Sequence, residues 1–209
     1  MTRGAHPAVL LVVAALTWMA CFAVLGRLGT WSLFVLAGPL LSALAVGSGA
    51  VPAALLRPST GRVLAGAVAG AAMLAASHVV FAALVAAWPG ARGPALSLYA
   101  LFASGGWSPA TRLAFLVVVA VSEEVVFRGA LDGAPGAAAA GPRDAARVGL
   151  FALAYATGTL PLGNPLLFAC ALSCGVAWGG LRLASRSLVT PIVAHVVWDV
   201  GVLLVWPLA

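Results

Sequence analysis

The stretch VVVAVSEEVVFRG, residues 117–129, decides how this chain is read. Five apolar residues, one serine, two adjacent carboxylates, three more apolar residues and an arginine follow one another with no turn residue before Gly129. In a soluble helix the glutamates would mark a solvated face. Here the surroundings argue otherwise. Of the 209 residues 63% are hydrophobic and only 8% are charged, against about 25% charged in a typical soluble domain. The mean hydropathy is +1.11. A chain this poor in charge cannot build a soluble surface, which excludes a cytosolic globular enzyme and a disordered tail. It reads as a polytopic bundle of transmembrane helices, all-α, with about seven to eight helices. Continuous apolar runs that do not alternate exclude a transmembrane barrel.

Working outward, seven apolar spans are expected at about 6–25, 31–56, 63–88, 108–131, 145–159, 165–183 and 188–207. Gly38-Pro39 interrupts the second. A short apolar segment at 94–102 is expected to lie in the interface or re-enter, and a loop rich in Gly, Ala and Pro at 132–144. With no internal repeat and no polar second unit, residues 1–209 form one membrane domain. The +6 net charge comes from eleven arginines scattered between apolar runs. They form no basic stripe, so nucleic acid is not an expected partner; membrane lipid is. Seven of them (Arg3, Arg57, Arg62, Arg143, Arg147, Arg182, Arg186) fall on the side of the N-terminus and three (Arg27, Arg92, Arg112) on the other. The positive-inside rule then puts the N-terminus in the cytoplasm. Trp31, Trp88, Trp107 and Trp206 read as interface anchors. Gly66/Gly70 and Gly175/Gly179 read as close-packing spacings. Cys21, Cys170 and Cys174 read as buried free thiols, and His78, beside Ser77, as a hydrogen-bonded core histidine.

The charges inside the spans carry the chemistry. A carboxylate costs about 2.5 to 3.5 kcal/mol at a helix centre on insertion scales. Arg128 follows Glu124 at i+4 and can neutralise it as a structural ion pair. Glu123 points about 100° away, has no partner in its own helix, and is free to act as a general base. In the last span, His195 and Asp199 lie at i and i+4, so Asp199 can accept from the imidazole and orient it. Counting from the cytoplasmic face, His195 lies at roughly 10 Å, Glu123 at roughly 12 Å and Tyr155 at roughly 15 Å, at 1.5 Å per residue. One polar cluster under that face is expected. Asp132 and Asp144, in or beside the loop, are expected to be solvated.

EEVVFR (Glu123 to Arg128) has the form EExxxR, and HVVWD (His195 to Asp199) the form HxxxN/D. Together, in a small polytopic protein, they resemble the CPBP family of intramembrane proteases, the CAAX prenyl endopeptidase and bacteriocin-processing (Abi) proteins, over about 108–203. The resemblance implies a peptide hydrolase that cleaves a peptide or protein precursor near the cytoplasmic membrane face. It implies Glu123 activating water, Glu124–Arg128 as the structural pair, and His195 with Asp199 stabilising the oxyanion. The family's third motif, FxxxH, is met here by FALAY, residues 151–155, with Tyr155 where the histidine is expected. A phenol whose ordinary pKa is about 10 is no base near neutral pH, but it donates a hydrogen bond. By family analogy a divalent metal such as zinc is conceivable. Tyr155 removes the second histidine such a site would use, so no cofactor is expected. Either glutamate and Tyr155 work together, or activity is reduced or lost. Two other readings stay open: a catalytically inactive relative acting as a membrane binding or immunity protein, and a proton-coupled transporter relaying through Glu123 and His195. The lack of an inverted repeat speaks against the transporter. A bacterial inner membrane is the expected location.

Overall fold

Apolar residues in α1 (Pro7–Leu28) show how the bundle is built. Leu10, Leu11, Ala14, Trp18, Cys21 and Leu25 are all buried, a three-and-four spacing that marks one helix face. Yet Val9, Val12, Val13 and Leu16 on the other faces are 41–60% exposed. A helix that is apolar toward the core and apolar outward is solvated by lipid. The pattern recurs in α3 (Thr60–Ala87), where Leu64, Val68, Val79 and Val80 are 60–70% exposed. The protein is an integral membrane protein, a helical bundle.

The computed structural model describes residues 7–28, 31–104, 106–129 and 142–208. Its remaining helices are α2 (Ser32–Gly47), α4 (Arg92–Ala103), α5 (Pro109–Glu123), α6 (Pro142–Thr157), α7 (Pro165–Ser185) and α8 (Val189–Val200). No strand occurs among the described residues. Four segments are long and apolar enough to cross a membrane: Ala8–Leu28, Thr60–Ala87, Arg143–Leu162 and Pro165–Ser185. The expected second, fourth and seventh spans are more broken than their apolar runs imply. α2 carries Pro39 without interruption but stops at Gly47, and Ala53–Leu56 is a separate 3-10 turn. α5 and α8 each change pitch and continue as a π turn, Glu124–Arg128 and Gly201–Val205. Both motif helices thus depart from α geometry beside their charged residues, where π turns commonly sit. The segment at 94–102 is α4. It packs against the ends of other helices: Asn164 Nδ2 donates to Pro94 O at 3.0 Å, and Tyr99 donates to Val202 O at 3.1 Å.

The structure sharpens or corrects several expectations. Asp144 lies beside the expected loop, in the first turn of α6, where a carboxylate suits the helix dipole. Asp132 and most of the expected loop lie outside the described residues. Arg182 is only 2% exposed and so is no topology-setting surface charge. Trp31, at the N-terminal end of α2, packs inward against Phe34, Phe102 and Phe115.

The glycine spacings set the two helix contacts that frame the site. A Cβ on Gly66 or Gly70 would sit 2.6 Å from the carbonyl oxygens of Thr190 and Ala194, so α3 and α8 meet backbone to backbone. A Cβ on Gly175 of α7 would sit 3.0 Å from the Ala152 backbone of α6, and one on Gly179 would sit 2.8 Å from the Val148 side chain.

Candidate active site

The π turn opens where α5 presents two carboxylates to different neighbours. Glu124 is fully buried and turns inward. Its Oε1 lies 3.3 Å from Arg128 Nη1 and 2.9 Å from His195 Nδ1. Arg128, 1% exposed, lays its guanidinium over the rings of Tyr155 at 4.5 Å and Trp178 at 5.2 Å. Such cation–π contacts stabilise a desolvated cation by about 2 kcal/mol. One carboxylate, one guanidinium and two aromatic faces make a neutralised knot that ties α5 to α6, α7 and α8.

Glu123 faces the other way. Its Oε1 accepts from Trp18 Nε1 at 2.6 Å and its Oε2 from the Tyr155 hydroxyl at 2.8 Å. His195 Nε2 stands 3.6 Å from the same Oε2 and 3.4 Å from Asp199 Oδ2. The imidazole lies flat on Trp178, with centroids 3.5 Å apart and planes 20° apart. Sequence depth placed Glu123, Tyr155 and His195 at one level, and the three side chains do meet.

One detail of the sequence reading changes. The ring of His195 is held through Nδ1 by Glu124, not by Asp199. Asp199 faces Nε2 instead. The ring is therefore fixed from behind by a carboxylate already paired with Arg128, while Nε2 points to the open side.

Glu123, Tyr155, His195 and Asp199 line one cavity of about 230 Å³. Its other walls are mostly aromatic and aliphatic, with Trp31, Phe34, Phe102 and Phe115 among them. A chamber that is apolar except for a few convergent polar groups is the usual form of a binding or catalytic pocket. His78 is not part of it. That ring bonds Leu74 O through Nδ1 at 2.9 Å and stacks on Trp206.

Two site residues escaped the sequence reading, Trp18 and Trp178. The signal was available: both indoles lie far from span ends, outside the interface belts that tryptophans favour, and a buried indole N–H usually seeks an acceptor. Trp18 finds Glu123. Trp178 serves through its ring face.

Residues 105–201 match the family described as type II CAAX prenyl endopeptidase Rce1-like. This segment belongs to that family. The match begins just before α5 and ends just after α8, so it takes in Glu123, Glu124, Arg128, Tyr155, His195 and Asp199. It is the CPBP group that EEVVFR and HVVWD resemble, and at family level it is a group of membrane-embedded peptidases. No curated protein and no solved structure matches the chain.

Proposed function

We propose that the protein is an intramembrane endopeptidase that uses Glu123 to activate water against a peptide bond. The observation that carries this reading is the convergence of Tyr155 and His195 on one oxygen of Glu123, at 2.8 Å and 3.6 Å, on the wall of an apolar chamber. A peptide carbonyl entering that chamber would meet the base and two potential donors at one place. Glu123 takes a proton from water, and the resulting hydroxide adds to the carbonyl carbon. When the C–N bond breaks, Glu123 returns the proton to the leaving amine. The oxyanion is held by Tyr155 O–H and His195 Nε2–H. In that role His195 carries both ring protons, because Nδ1 already bonds Glu124. Asp199 keeps Nε2–H aimed at the chamber.

The reading runs without a metal. The donor set does not suit zinc: one imidazole stands among carboxylates, and the central oxygen, Glu123 Oε2, already accepts from a phenol. Among the described residues no group of three or more His, Cys, Asp or Glu side chains is arranged to hold a metal ion. The substrate class is a peptide or protein precursor presented at the membrane. We take the N-terminus to be cytoplasmic and the membrane to be a bacterial inner membrane. Exposed Arg57, Arg143, Arg147 and Arg186 near the helix ends on the site's side support that orientation.

Cleavage of candidate membrane peptides in proteoliposomes tests the proposal. Glu123→Ala and His195→Ala should each abolish turnover, and variants that cleave as fast as wild type would sink the mechanism. One observation favours a second reading, a relative that binds a peptide without cutting it. Both oxygens of Glu123 already accept hydrogen bonds, from Trp18 and Tyr155. If the wild type is inert and Tyr155→His brings cleavage from nothing, the natural protein is a binder.

A further inference from the structure

Two thiols share the chamber with the polar cluster, and the proposed hydrolysis uses neither. Cys170 and Cys174 are four residues apart on one face of α7, and both line the cavity that holds His195 and Asp199. Cys21, the third cysteine, is buried in α1 and does not line it. A disulfide is the first chemistry to weigh for such a pair, and helix geometry excludes it. Side chains at i and i+4 have Cβ atoms about 5–6 Å apart, whereas a disulfide needs about 3.5–4.5 Å. The same spacing suits a bridging ion. Two metal–thiolate bonds of about 2.3 Å in line span about 4.6 Å, within reach of two χ1 rotations from those Cβ positions. Thiolate pairs select soft cations, cuprous copper among them.

We propose that Cys170 and Cys174 form a binding site for one soft, two-coordinate metal cation, with cuprous copper as the reference ligand. Each sulfur gives up its proton and forms one Cu–S bond, and the copper stays in its +1 state, so no oxidant or reductant takes part. The bis-thiolate with its copper ion carries one negative charge; Arg128 and His195 lie within electrostatic reach to offset it, and Asp199 lies within reach to oppose it. An ion held there stands inside the chamber beside Asp199 and narrows the space in front of Glu123. Its effect on turnover rests on the peptidase reading above; its binding does not.

Anaerobic titration of the purified protein with Cu(I) against a chromogenic chelator tests the site. One ion per chain is expected for wild type and for Cys21→Ser, with two sulfur neighbours by X-ray absorption. Cys170→Ser and Cys174→Ser should each weaken binding by at least about 100-fold, with helical circular dichroism unchanged as the check on folding. Cadmium, read by its thiolate charge-transfer band, gives a second measure of two sulfurs at one ion. Copper retained by both α7 variants, or lost on Cys21→Ser, overturns the assignment. In proteoliposomes, copper should slow peptide cleavage by wild type and spare Cys174→Ser. A wild type that binds copper at two sulfurs yet cleaves nothing upholds the site and counts against the peptidase reading alone.

Discussion

Glu123 and Glu124 are neighbours in sequence with opposite surroundings. Glu124 has an arginine 3.3 Å away and an imidazole 2.9 Å away. It sits where the helix changes to π geometry. Glu123 has no cation in its own helix; it accepts from neutral donors on α1 and α6, has His195 Nε2 3.6 Å away, and borders the chamber. The difference teaches how a membrane protein can carry two adjacent acids. One is neutralised and holds helices together. The other is held by neutral donors and by the far edge of the same imidazole, on the wall of the chamber. Swapping amide for acid at the two positions should therefore give unlike results.

Glu123→Gln keeps the shape and the acceptor for Trp18, so the helices should remain folded while peptide turnover falls by about 10²–10⁴-fold, the contribution of a general base. Glu124→Gln should do the reverse in kind, lowering thermal stability in detergent first. The sharper version is Arg128→Ala, which leaves Glu124 as a buried unpaired charge. Such losses cost about 3–5 kcal/mol, read as a drop in the unfolding midpoint. If Arg128→Ala melts with wild type while Glu123→Gln unfolds, the two carboxylates have been assigned the wrong way round. Between these in size stands Tyr155→Phe. It removes one donor from Glu123 Oε2 and should lower turnover by about 10²–10³-fold with little change in melting. An unchanged rate would remove Tyr155 from the proposed oxyanion site.

Much of this contrast was legible in the chain. Residues four apart on a helix meet, so Glu124–Arg128 followed from spacing, and equal depth in a bilayer of fixed thickness brought Glu123, Tyr155 and His195 to one level. What spacing could not show is which face of each helix turns toward which neighbour. His195 lies i+4 to Asp199, and within α8 alone Asp199 was the evident partner for the ring. The close approach of α8 to α5 hands Nδ1 to Glu124 instead. Trp18 is a like case: its depth in α1 signals an indole N–H in need of an acceptor, but not that the acceptor stands 105 positions away. The π turns were also hidden, because apolar runs look the same at either pitch.

The smallest effect tests whether helix approach, and not the acids alone, sets the contrast. His195 can reach both carboxylates only because α8 is held close by α3 through Gly66 and Gly70. At Gly70 an added methyl would lie 2.6 Å from the carbonyl oxygen of Ala194, the residue before His195. Backbone cannot yield as a flexible side chain can, so Gly70→Ala should push α8 outward at a cost of about 1–3 kcal/mol. The displacement acts on His195 twice, disturbing both its bond to Glu124 and its approach to Glu123. Turnover should then fall further than the loss of folded protein explains, since a shift of about 1 Å at a reacting group can cost about 10²-fold. Gly61→Ala, on the same helix with nothing within 4 Å of the added methyl, is the control and should match wild type in both measurements. Equal behaviour of the two alanine variants would mean that α8 is positioned by something other than its contact with α3.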